Sequence, residues 1–162
     1  MPHNLPPGYS LSLGSPADRA LLLKFMQQSY QENFPHQDFS HLAQTVQQYL
    51  SPDTPLWWVA EDGEAELAPH LPIACLWVGN AIDQVEGSRH AHIFLLYVTS
   101  GHRRRGIGTA LMQHIENWAQ QRGDRQIGLQ VFSSNSAALN LYNQLGYQTQ
   151  SLWMIKSLQK GF

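Results

Sequence analysis

The segment His92–Val98, with the sequence HIFLLYV, limits the possible folds of this chain more than any other. Apolar residues occupy nearly every position, as in a strand that is buried on both faces at the centre of a sheet. The segment runs into the turn TSGHRRRGIG, after which Ile107, Leu111, Ile115 and Trp118 recur at helical spacing. This order predicts a mixed α/β fold in which the turn lies at the carboxyl end of a central strand.

The other elements follow from the same periodicities. Tyr9–Leu13 alternates like a half-buried strand, and Ser15 before Pro16 predicts a helix start. The remaining predicted elements are a second helix with Leu42 and Val46 after a break at Pro35, a hairpin of PLWWVAED and PIACLWVGNA around an acidic loop from Gly63 to Pro72, a strand QIGLQVF, a short helix from Asn135 to Leu145, and a final strand LWMIKSL. The predicted order is β-α-α-β-β-β-α-β-α-β, in a single domain over residues 1–162.

Charge and cysteine content argue against several classes of function. Ten Lys and Arg against twelve Asp and Glu give a net charge of -2, so we expect neither a nucleic-acid nor a membrane partner. Cys75 is the only cysteine, which precludes an intramolecular disulfide and favours a cytoplasmic location. His90 and His92 form a His-x-His pair without a third ligand at useful spacing, so no metal site is predicted.

The arginine-glycine turn is the strongest candidate for a ligand site. Arg103–Arg105 hold three of the ten cationic residues, and no conventional N-cap residue precedes the helix. Gly106 and Gly108 let an anion approach the first free N–H groups of that helix. The P-loop pattern fails because no Gly-Lys occurs, and the dinucleotide pattern fails because Leu111 stands where a third small residue belongs. The turn therefore predicts an anion site of another kind.

Two motifs about 30 residues apart carry a family resemblance. Arg103, Gly106 and Gly108 fit the pattern Gln or Arg, two residues, Gly, one residue, Gly or Ala. NSAALNLYNQLGY, from Asn135 to Tyr147, fits Asn-x-x-Ala-x-x-Leu-Tyr-x-x-x-Gly-Phe with Tyr147 in place of Phe. Together they resemble the GNAT superfamily of acyl-CoA-dependent N-acetyltransferases, most closely over residues 92–147. The resemblance implies a mixed, mostly antiparallel sheet with splayed central strands and about four flanking helices.

The resemblance also implies a site for acetyl-CoA as co-substrate. Backbone groups of Leu96 and Val98 would pair with the pantetheine arm, in a cleft where two central strands part. Asn135 would serve both as a helix N-cap and as a cofactor contact. The pyrophosphate would lie against the backbone amides of Arg103, Arg104, Arg105, Gly106, Ile107, Gly108 and Thr109.

The implied reaction is direct transfer of an acetyl group to a primary amine, either a small amine or a protein N-terminus or lysine. By resemblance, the N–H of Val98 would donate to the oxyanion, and Tyr142 would contact the cofactor and act as the acid for the departing thiolate. A tyrosine hydroxyl has an ordinary pKa of about 10 and is protonated near pH 7. The alternative for Tyr142, one helical turn after Ala138, is a core aromatic.

The candidate general base is His92, because this strand has no acid where some protein-acetylating relatives carry Glu. An imidazole with a pKa near 6.5 can accept a proton, and His92 shares strand parity with Phe94, Leu96 and Val98. Glu86 in the preceding loop is an alternative base, and a structural histidine is a second alternative.

The acceptor site is predicted at the break between the first two helices, SYQENFPHQDF, and at the strand pair that follows. Tyr30, Phe34 and Trp57 are candidate substrate contacts and, together with Trp58, could form an aromatic wall. Glu32 or Asp38 could attract a cationic amine. The missing strand acid leaves a second hypothesis open, a catalytically silent acyl-CoA-binding sensor. A homodimer is compatible with the family.

Overall fold

The computed structural model describes residues 5–63 and 71–159, in two compact units, Met1–Gln130 and Val131–Phe162. Most of the loop predicted between Gly63 and Pro72 lies outside the described residues. The elements of the first unit are β1 (Tyr9–Leu13), a 3-10 turn (Pro16–Asp18), α1 (Arg19–Asn33), α2 (Leu42–Tyr49), β2 (Leu56–Glu61), β3 (Pro72–Ile82), β4 (Arg89–Val98), a second 3-10 turn (Ser100–His102), α3 (Ile107–Arg122) and β5 (Ile127–Leu129). The second unit contains α4 (Ser136–Gln144).

The sheet has the strand order β1-β2-β3-β4-β5. Its first four strands are antiparallel neighbours, and β5 runs parallel to β4. The predicted hairpin is confirmed, with Trp58 of β2 opposite Cys75 of β3 and Cys75 opposite Tyr97 of β4. The expected mixed, mostly antiparallel sheet is therefore correct, and the described residues contain four α-helices, as expected.

β4 and β5 separate soon after they meet. Ala91–Ile93 pair with Ile127–Leu129, and no described residue continues the ladder along the same side of Phe94–Val98. A strand lacks support where its neighbour diverges, so β5 ends at Leu129, although the sequence predicted a strand from Gln126 to Phe132. The separation leaves backbone polar groups of β4 without ladder partners, as the resemblance implies.

Helices cover both faces of the sheet and fix its core. α1 and α2 bury one cluster with the sheet, and α3 buries Leu111 and Ile115 completely, as its predicted stripe requires. Fully burying a side chain of this size stabilises the fold by about 1.5–3 kcal/mol. Cys75 lies in the same cluster as α1 and α2, and its complete burial raises the pKa of its thiol. The main members of that cluster are Leu22, Phe25, Leu42, Val46, Trp58, Trp77, Leu95 and Tyr97.

A β-bulge at Phe94 changes the register of β4. Trp77 of β3 lies opposite Leu95, but the next residue, Val78, lies opposite Ile93. Phe94 is therefore an extra residue without a partner on β3. Such an insertion reverses the alternation of side chains between the two faces of a strand.

The bulge places His92 on the side of α1 and α2. The ring of Phe94 lies 5.8 Å from Tyr49 of α2, and the ring of His92 lies 6.0 Å from Phe94. Leu96 and Val98 alternate with residues of the α1 and α2 cluster, so they face the side of α3. The predicted shared face of His92 and Phe94 is confirmed, whereas the prediction that Leu96 and Val98 share it is wrong.

The helix starts agree with their predicted caps. The Ser15 hydroxyl accepts from the N–H of Ala17, and the Asp18 carboxylate accepts from the N–H of Ser15. The Asn135 side chain accepts from the N–H of Ala138 at 3.3 Å, which confirms Asn135 as the cap of α4. No helix in the described part of the chain is long and apolar enough to span a bilayer.

The predicted final strand, LWMIKSL, does not form. Residues 151–159 have no regular secondary structure, and no described strand pairs with them. Leu152, Trp153, Met154 and Ile155 are 79–85% exposed. Four consecutive apolar residues do not alternate between two faces, so the segment lacks the single apolar face that fixes a strand against a sheet.

Candidate functional site

The turn before α3 holds two residues in left-handed conformation. Gly106 is the N-cap of α3 with φ 86°, and no side chain among the described residues caps the helix. A Cβ at Gly106 would meet nothing within 4 Å, so glycine is needed there for conformation rather than for space. Arg104 also has a positive φ, 62°, which costs a non-glycine residue about 1–2 kcal/mol. The first N–H groups of α3 are thus presented to an anion.

The side chain of Arg103 is bonded to residues of β4 and α1. Its Nε donates to the carbonyl of Val98 at 2.8 Å, and its Nη2 donates to Glu32 of α1 at 2.6 Å. The guanidinium also lies 5.5 Å from the ring centre of Tyr97. With this side chain engaged, Arg103 offers a ligand chiefly its backbone.

The other two arginines have different surroundings. Arg105 donates from Nη1 to the hydroxyl of Tyr9 at 2.7 Å, and that hydroxyl is also hydrogen-bonded to Nδ1 of His102 at 2.8 Å. His102 in turn lies 3.3 Å from the Glu61 carboxylate. Arg104 is exposed and, within the described part of the chain, makes no hydrogen bond or ion pair. Of the three, Arg104 is therefore the one with a side chain available to an anionic ligand.

The backbone of β4 presents donors at the open edge. The N–H of Thr99 donates to Ile73 of β3 at 2.8 Å. Because successive amides of a strand point to alternate sides, the N–H of Val98 is directed away from β3, as are the backbone groups of Leu96. The carbonyl of Val98 already accepts from Arg103, so Val98 offers its N–H alone.

His92 lies between two glycines of neighbouring strands. It is in register with Gly79 of β3 and with Gly128 of β5. The ring of Phe94 fills the space over Gly79, whereas the side facing Gly128 carries the imidazoles of His90 and His92. Burial, with a further contribution from His90, lowers the pKa of His92 below its usual value near 6.5. His92 is therefore neutral at pH 7 and able to accept a proton.

The alternative base differs in setting. Glu86 is exposed in the turn between β3 and β4, where its backbone N–H donates to Asp83 at 3.3 Å. His92, in contrast, is half-buried and stands within β4 beside the bulge. Between the two, His92 has the more restricted access to water.

A cavity of about 420 Å³ lies between α1 and the carboxyl end of β4. Thr99 Oγ1 is buried there and has no hydrogen-bond partner among the described residues. The hydroxyl of Tyr97 donates to Glu32 at 2.8 Å, and burial together with this bond raises the pKa of Tyr97 to about 12. The cavity is lined by Gln28, Gln31, Glu32, Tyr97, Thr99 and Ser100.

The predicted acceptor residues do not form one group. Tyr30 and Phe34 both pack on Phe39, with ring centres 5.4 and 6.5 Å away. Trp57 lies on the other face of the sheet, where its ring centre is 4.8 Å from His114 of α3. Trp57 therefore does not belong to a wall with Tyr30 and Phe34, because neighbouring residues of a strand face opposite ways and Trp58 takes the side of α1.

The two predicted carboxylates near the end of α1 are both occupied. Glu32 accepts from Tyr97 and Arg103, as described. Asp38 accepts from the backbone N–H and the hydroxyl of Ser40, which lowers its pKa. Each carboxylate thus has protein donors that a cationic amine would have to displace or join.

Tyr142 and Asn135 lie in the second unit. The ring centre of Tyr142 is 5.8 Å from that of Tyr147, and the N–H of Tyr147 donates to the carbonyl of Tyr142 at 3.0 Å. Burial raises the pKa of Tyr142 to about 12, so its hydroxyl keeps its proton at neutral pH. Within residues 5–63 and 71–159, no group of three or more His, Cys, Asp or Glu is placed to hold a metal ion.

Comparison with known proteins identifies the family. Residues 22–147, more than half of the chain, match the model of the acetyltransferase (GNAT) family. The chain belongs to the GNAT family. It is similar to a Drosophila melanogaster protein named "Probable N-acetyltransferase san", with 37% identity over 92 residues that cover 56% of this chain and 50% of that protein. It is also similar to the ribosomal protein bS18 alanine N-acetyltransferase of Escherichia coli K12, with 34% identity over 62 residues, or 38% and 42% of the two chains.

Solved structures with low sequence identity share the fold of this chain. The crystal structure of a "predicted acetyltransferase with acetyl-CoA" from Clostridium acetobutylicum superposes with a TM-score of 0.72 at 16% identity, covering 93% of this chain and 96% of that one. The sequence matches are shorter than the structural one. This GNAT chain spans about half the length of the curated relatives that it matches.

Several contacts of this GNAT protein could not be predicted from the sequence. Glu32 and Tyr97 are separated by 65 residues, and Tyr9 and Arg105 by 96, so no local pattern links them. The glycines at positions 79 and 128 could have indicated the crowding around His92, because glycine inside a strand marks a close approach of neighbouring groups.

Proposed function

We propose that this protein is an acetyl-CoA-dependent N-acetyltransferase that transfers the acetyl group directly to a primary amine. One observation carries the proposal: the uncapped start of α3 at Gly106 follows the strand whose edge is open from Phe94 to Val98. These are the anion site and the extended backbone edge that a pyrophosphate and a pantetheine arm require. The family match from residue 22 to 147 runs across both compact units, which supports one catalytic domain over residues 1–162.

The donor site is proposed to use backbone groups of β4 and of the turn. Acetyl-CoA supplies an acetyl group activated as a thioester. The N–H of Val98 and the backbone of Leu96 would bind its pantetheine arm, and the amides from Arg103 to Thr109 would bind its pyrophosphate. The free guanidinium of Arg104 would add charge at that end. Asn135 is proposed to contact the cofactor because it is the first residue of the second family motif, NSAALNLYNQLGY.

Three groups are proposed to act on the reacting atoms. The N–H of Val98 would donate to the carbonyl oxygen as that oxygen gains negative charge. His92, neutral at pH 7, would take a proton from the acceptor amine directly or through water. Tyr142, protonated at neutral pH because burial raises its pKa to about 12, would act as the acid whose hydroxyl donates to the departing thiolate.

The acceptor is proposed to enter from the side of α1, where Tyr30 and Phe34 lie near the end of the helix. Tyr97 and Thr99, which line the cavity, are the chain neighbours of Val98. This supports an acceptor position close to the proposed oxyanion donor. Since the name of the Escherichia coli relative specifies an alanine of a ribosomal protein, peptide N-termini belong among the acceptors to be tested, beside small amines and lysine.

Coenzyme A release by the full chain, with mass detection of products across amines, lysine peptides and peptide N-termini, tests the activity. Isothermal titration with acetyl-CoA tests the donor site. Gly106→Ala should weaken acetyl-CoA binding, whereas Gly87→Ala serves as a matched control, since Gly87 also has a positive φ of 77° and no neighbour within 4 Å of an added Cβ. Both substitutions strain the backbone equally.

The outcomes separate the two functional hypotheses. Turnover of one acceptor class, with binding weakened only by Gly106→Ala, supports the enzyme and names its substrate. Binding of acetyl-CoA without turnover across the panel would favour the acyl-CoA sensor. If the wild type does not bind acetyl-CoA, both hypotheses fail.

A homodimer and a cytoplasmic location are also proposed. A homodimer is tested by light scattering of the purified chain over a range of concentrations. A cytoplasmic location, expected from the lone cysteine, is tested by fractionation of cells that express the protein.

A further inference from the structure

The turn before α3 is fastened to the protein at two points on either side of Arg104. Arg103 is bonded to Glu32 of α1, and Arg105 is bonded to Tyr9 of β1. Neither Glu32 nor Tyr9 belongs to the sequence motif of the turn, and they approach it from two different elements. Arg104, between these two bonded arginines, has a left-handed backbone with φ 62°.

We propose that Glu32 and Tyr9 are positioning residues that hold this turn in its anion-binding conformation before the donor arrives. The proposal rests on the proposed function, because the anion is the pyrophosphate of coenzyme A. Neither residue is proposed to touch the donor. Glu32 acts through Arg103, and Tyr9 acts through Arg105.

Backbone strain explains why anchors are needed. A non-glycine residue persists with positive φ only where the surrounding structure determines its conformation. Arg104 makes no bond of its own among the described residues, so the constraint must come from its neighbours. Arg103 is held by two hydrogen bonds, to Val98 and to Glu32, and Arg105 is held by one, to Tyr9.

The Glu32 anchor is itself fixed in orientation. One carboxylate oxygen accepts from Tyr97 at 2.8 Å and the other accepts from Arg103 at 2.6 Å. Because both oxygens are used, the carboxylate cannot rotate without losing one of these bonds. The side chains of Glu32 and Arg103 are 42% and 43% exposed, so solvent screens the pair and its effect on overall stability is small. Its main effect is therefore on geometry.

The Tyr9 anchor lies on β1, an edge strand of the sheet. Tyr9 is in register with Glu61 of β2, and both residues contact His102 in the turn that precedes the arginines. The ring of Tyr9 meets the His102 ring edge to face, with centres 5.7 Å apart. Tyr9 thus contacts the turn at two residues, His102 and Arg105, so its removal should loosen this segment.

Isothermal titration of coenzyme A into the full chain tests the proposal. Glu32→Gln and Tyr9→Phe should each raise Kd for coenzyme A by about fivefold, the upper range for an exposed ion pair. The matched controls are Asp53→Asn, which removes an exposed carboxylate far from the turn in sequence, and Tyr49→Phe, which removes the hydroxyl of a 47% exposed tyrosine. Both controls should keep the wild-type Kd.

A double-mutant cycle separates positioning from a general structural effect. Arg103→Gln, a residue that the motif accepts, should raise Kd as Glu32→Gln does, and the double variant should bind no more weakly than either alone. Additive losses would overturn the action of Glu32 through Arg103. Wild-type affinity in both Glu32→Gln and Tyr9→Phe would overturn the proposal while leaving the proposed function intact, whereas no binding by the wild type would overturn both.

Discussion

The Nδ1 atom of His92 lies 3.3 Å from the point where a Cβ would stand on Gly128, its register partner on β5. The same Cβ would lie 3.0 Å from Cε1 of His90. Both distances are shorter than ordinary van der Waals contact, so the absence of a side chain at position 128 makes room for two imidazoles. The parallel pairing of β4 and β5 thus determines where the candidate base stands.

Gly128→Ala should therefore displace both imidazoles and lower kcat by about tenfold, in keeping with the sensitivity of catalysis to small misplacements. Steady-state kinetics with a saturating acceptor check the change. Gly101→Ala is the matched control, since a Cβ at Gly101 meets nothing within 4 Å. Equal rates in the two variants would show that the space at Gly128 does not matter for the reaction.

His92→Ala should lower kcat by about 10²–10⁴-fold, the usual contribution of a general base, with acetyl-CoA affinity nearly unchanged. The lowered pKa sets the pH dependence. Because His92 must be neutral to act, the loss of rate that depends on His92 should begin only below pH 6.5, as the imidazole becomes protonated. A pH-rate profile checks both points, and an unchanged profile in His92→Ala with a changed one in Glu86→Gln would transfer the role to Glu86.

Tyr142→Phe should lower kcat by about tenfold or more, because the departing thiolate loses a hydrogen-bond donor. A pKa of about 12 means that ionisation of Tyr142 causes no loss of rate on the alkaline side up to pH 10. Rapid kinetics from pH 7 to 10 measure both effects. Tyr49→Phe provides the control, and a decline of the wild-type rate that disappears in Tyr142→Phe would contradict the assignment of the pKa.

Asp124→Asn should destabilise the fold by about 2–3 kcal/mol, since it weakens several charge-assisted hydrogen bonds at once. The Asp124 side chain, 1% exposed, accepts from the N–H of Ala91 at 2.8 Å and from Arg122 at 2.6 and 3.0 Å, with Arg89 at 3.6 Å. Urea unfolding measures the change. Asp53→Asn, on the surface, should change the free energy of unfolding by less than about 0.5 kcal/mol.

The same carboxylate makes stability depend on pH. Burial alone would raise the pKa of Asp124, but the bonds from Arg122 and Ala91 and the charges of Arg122 and Arg89 lower it overall. A lowered folded-state pKa contributes stability that is complete above the unfolded value, about 3.9, and is lost as pH falls through the folded value. Urea unfolding between pH 7 and 3 should show this loss in the wild type and a smaller one in Asp124→Asn.

Arg104→Gly should be more stable than Arg104→Ala by about 1 kcal/mol in the free energy of unfolding. Urea unfolding of both variants measures this difference. Both variants lose the guanidinium, so the comparison isolates the cost of the left-handed backbone at φ 62°. Both should also bind coenzyme A more weakly than the wild type, because the free arginine side chain is gone. Equal stability of the two variants would show that position 104 adopts an ordinary conformation in solution.

Local signals in the sequence predicted most of the fold. Ser15 caps the 3-10 turn that leads into α1, Asn135 caps α4, and the apolar stretch of β4 lies inside the sheet. Each of these depends on residues within a few positions of one another, where spacing alone determines the hydrogen bonds or the buried face.

Features that depend on pairing between distant segments were not predictable. The bulge at Phe94 arises from the fit of β4 to β3, and it reversed the expected face of His92 relative to Leu96 and Val98. The side chain of Arg103, expected only as part of a motif, is bonded to Glu32 across 71 residues. Hydrophobicity alone also suggested a last strand at residues 152–158, although strand formation requires a neighbouring strand to complete its hydrogen bonds.

The complete burial of Cys75 makes this protein well suited to optical assays of thiol release. Its sulfur is closed off from reagents, and its raised pKa keeps it in the unreactive thiol form. Because the chain has no other cysteine, a colorimetric thiol reagent added to the folded protein should give no background. Any colour that develops with acetyl-CoA and an amine then reports coenzyme A alone, in real time and without separation of products.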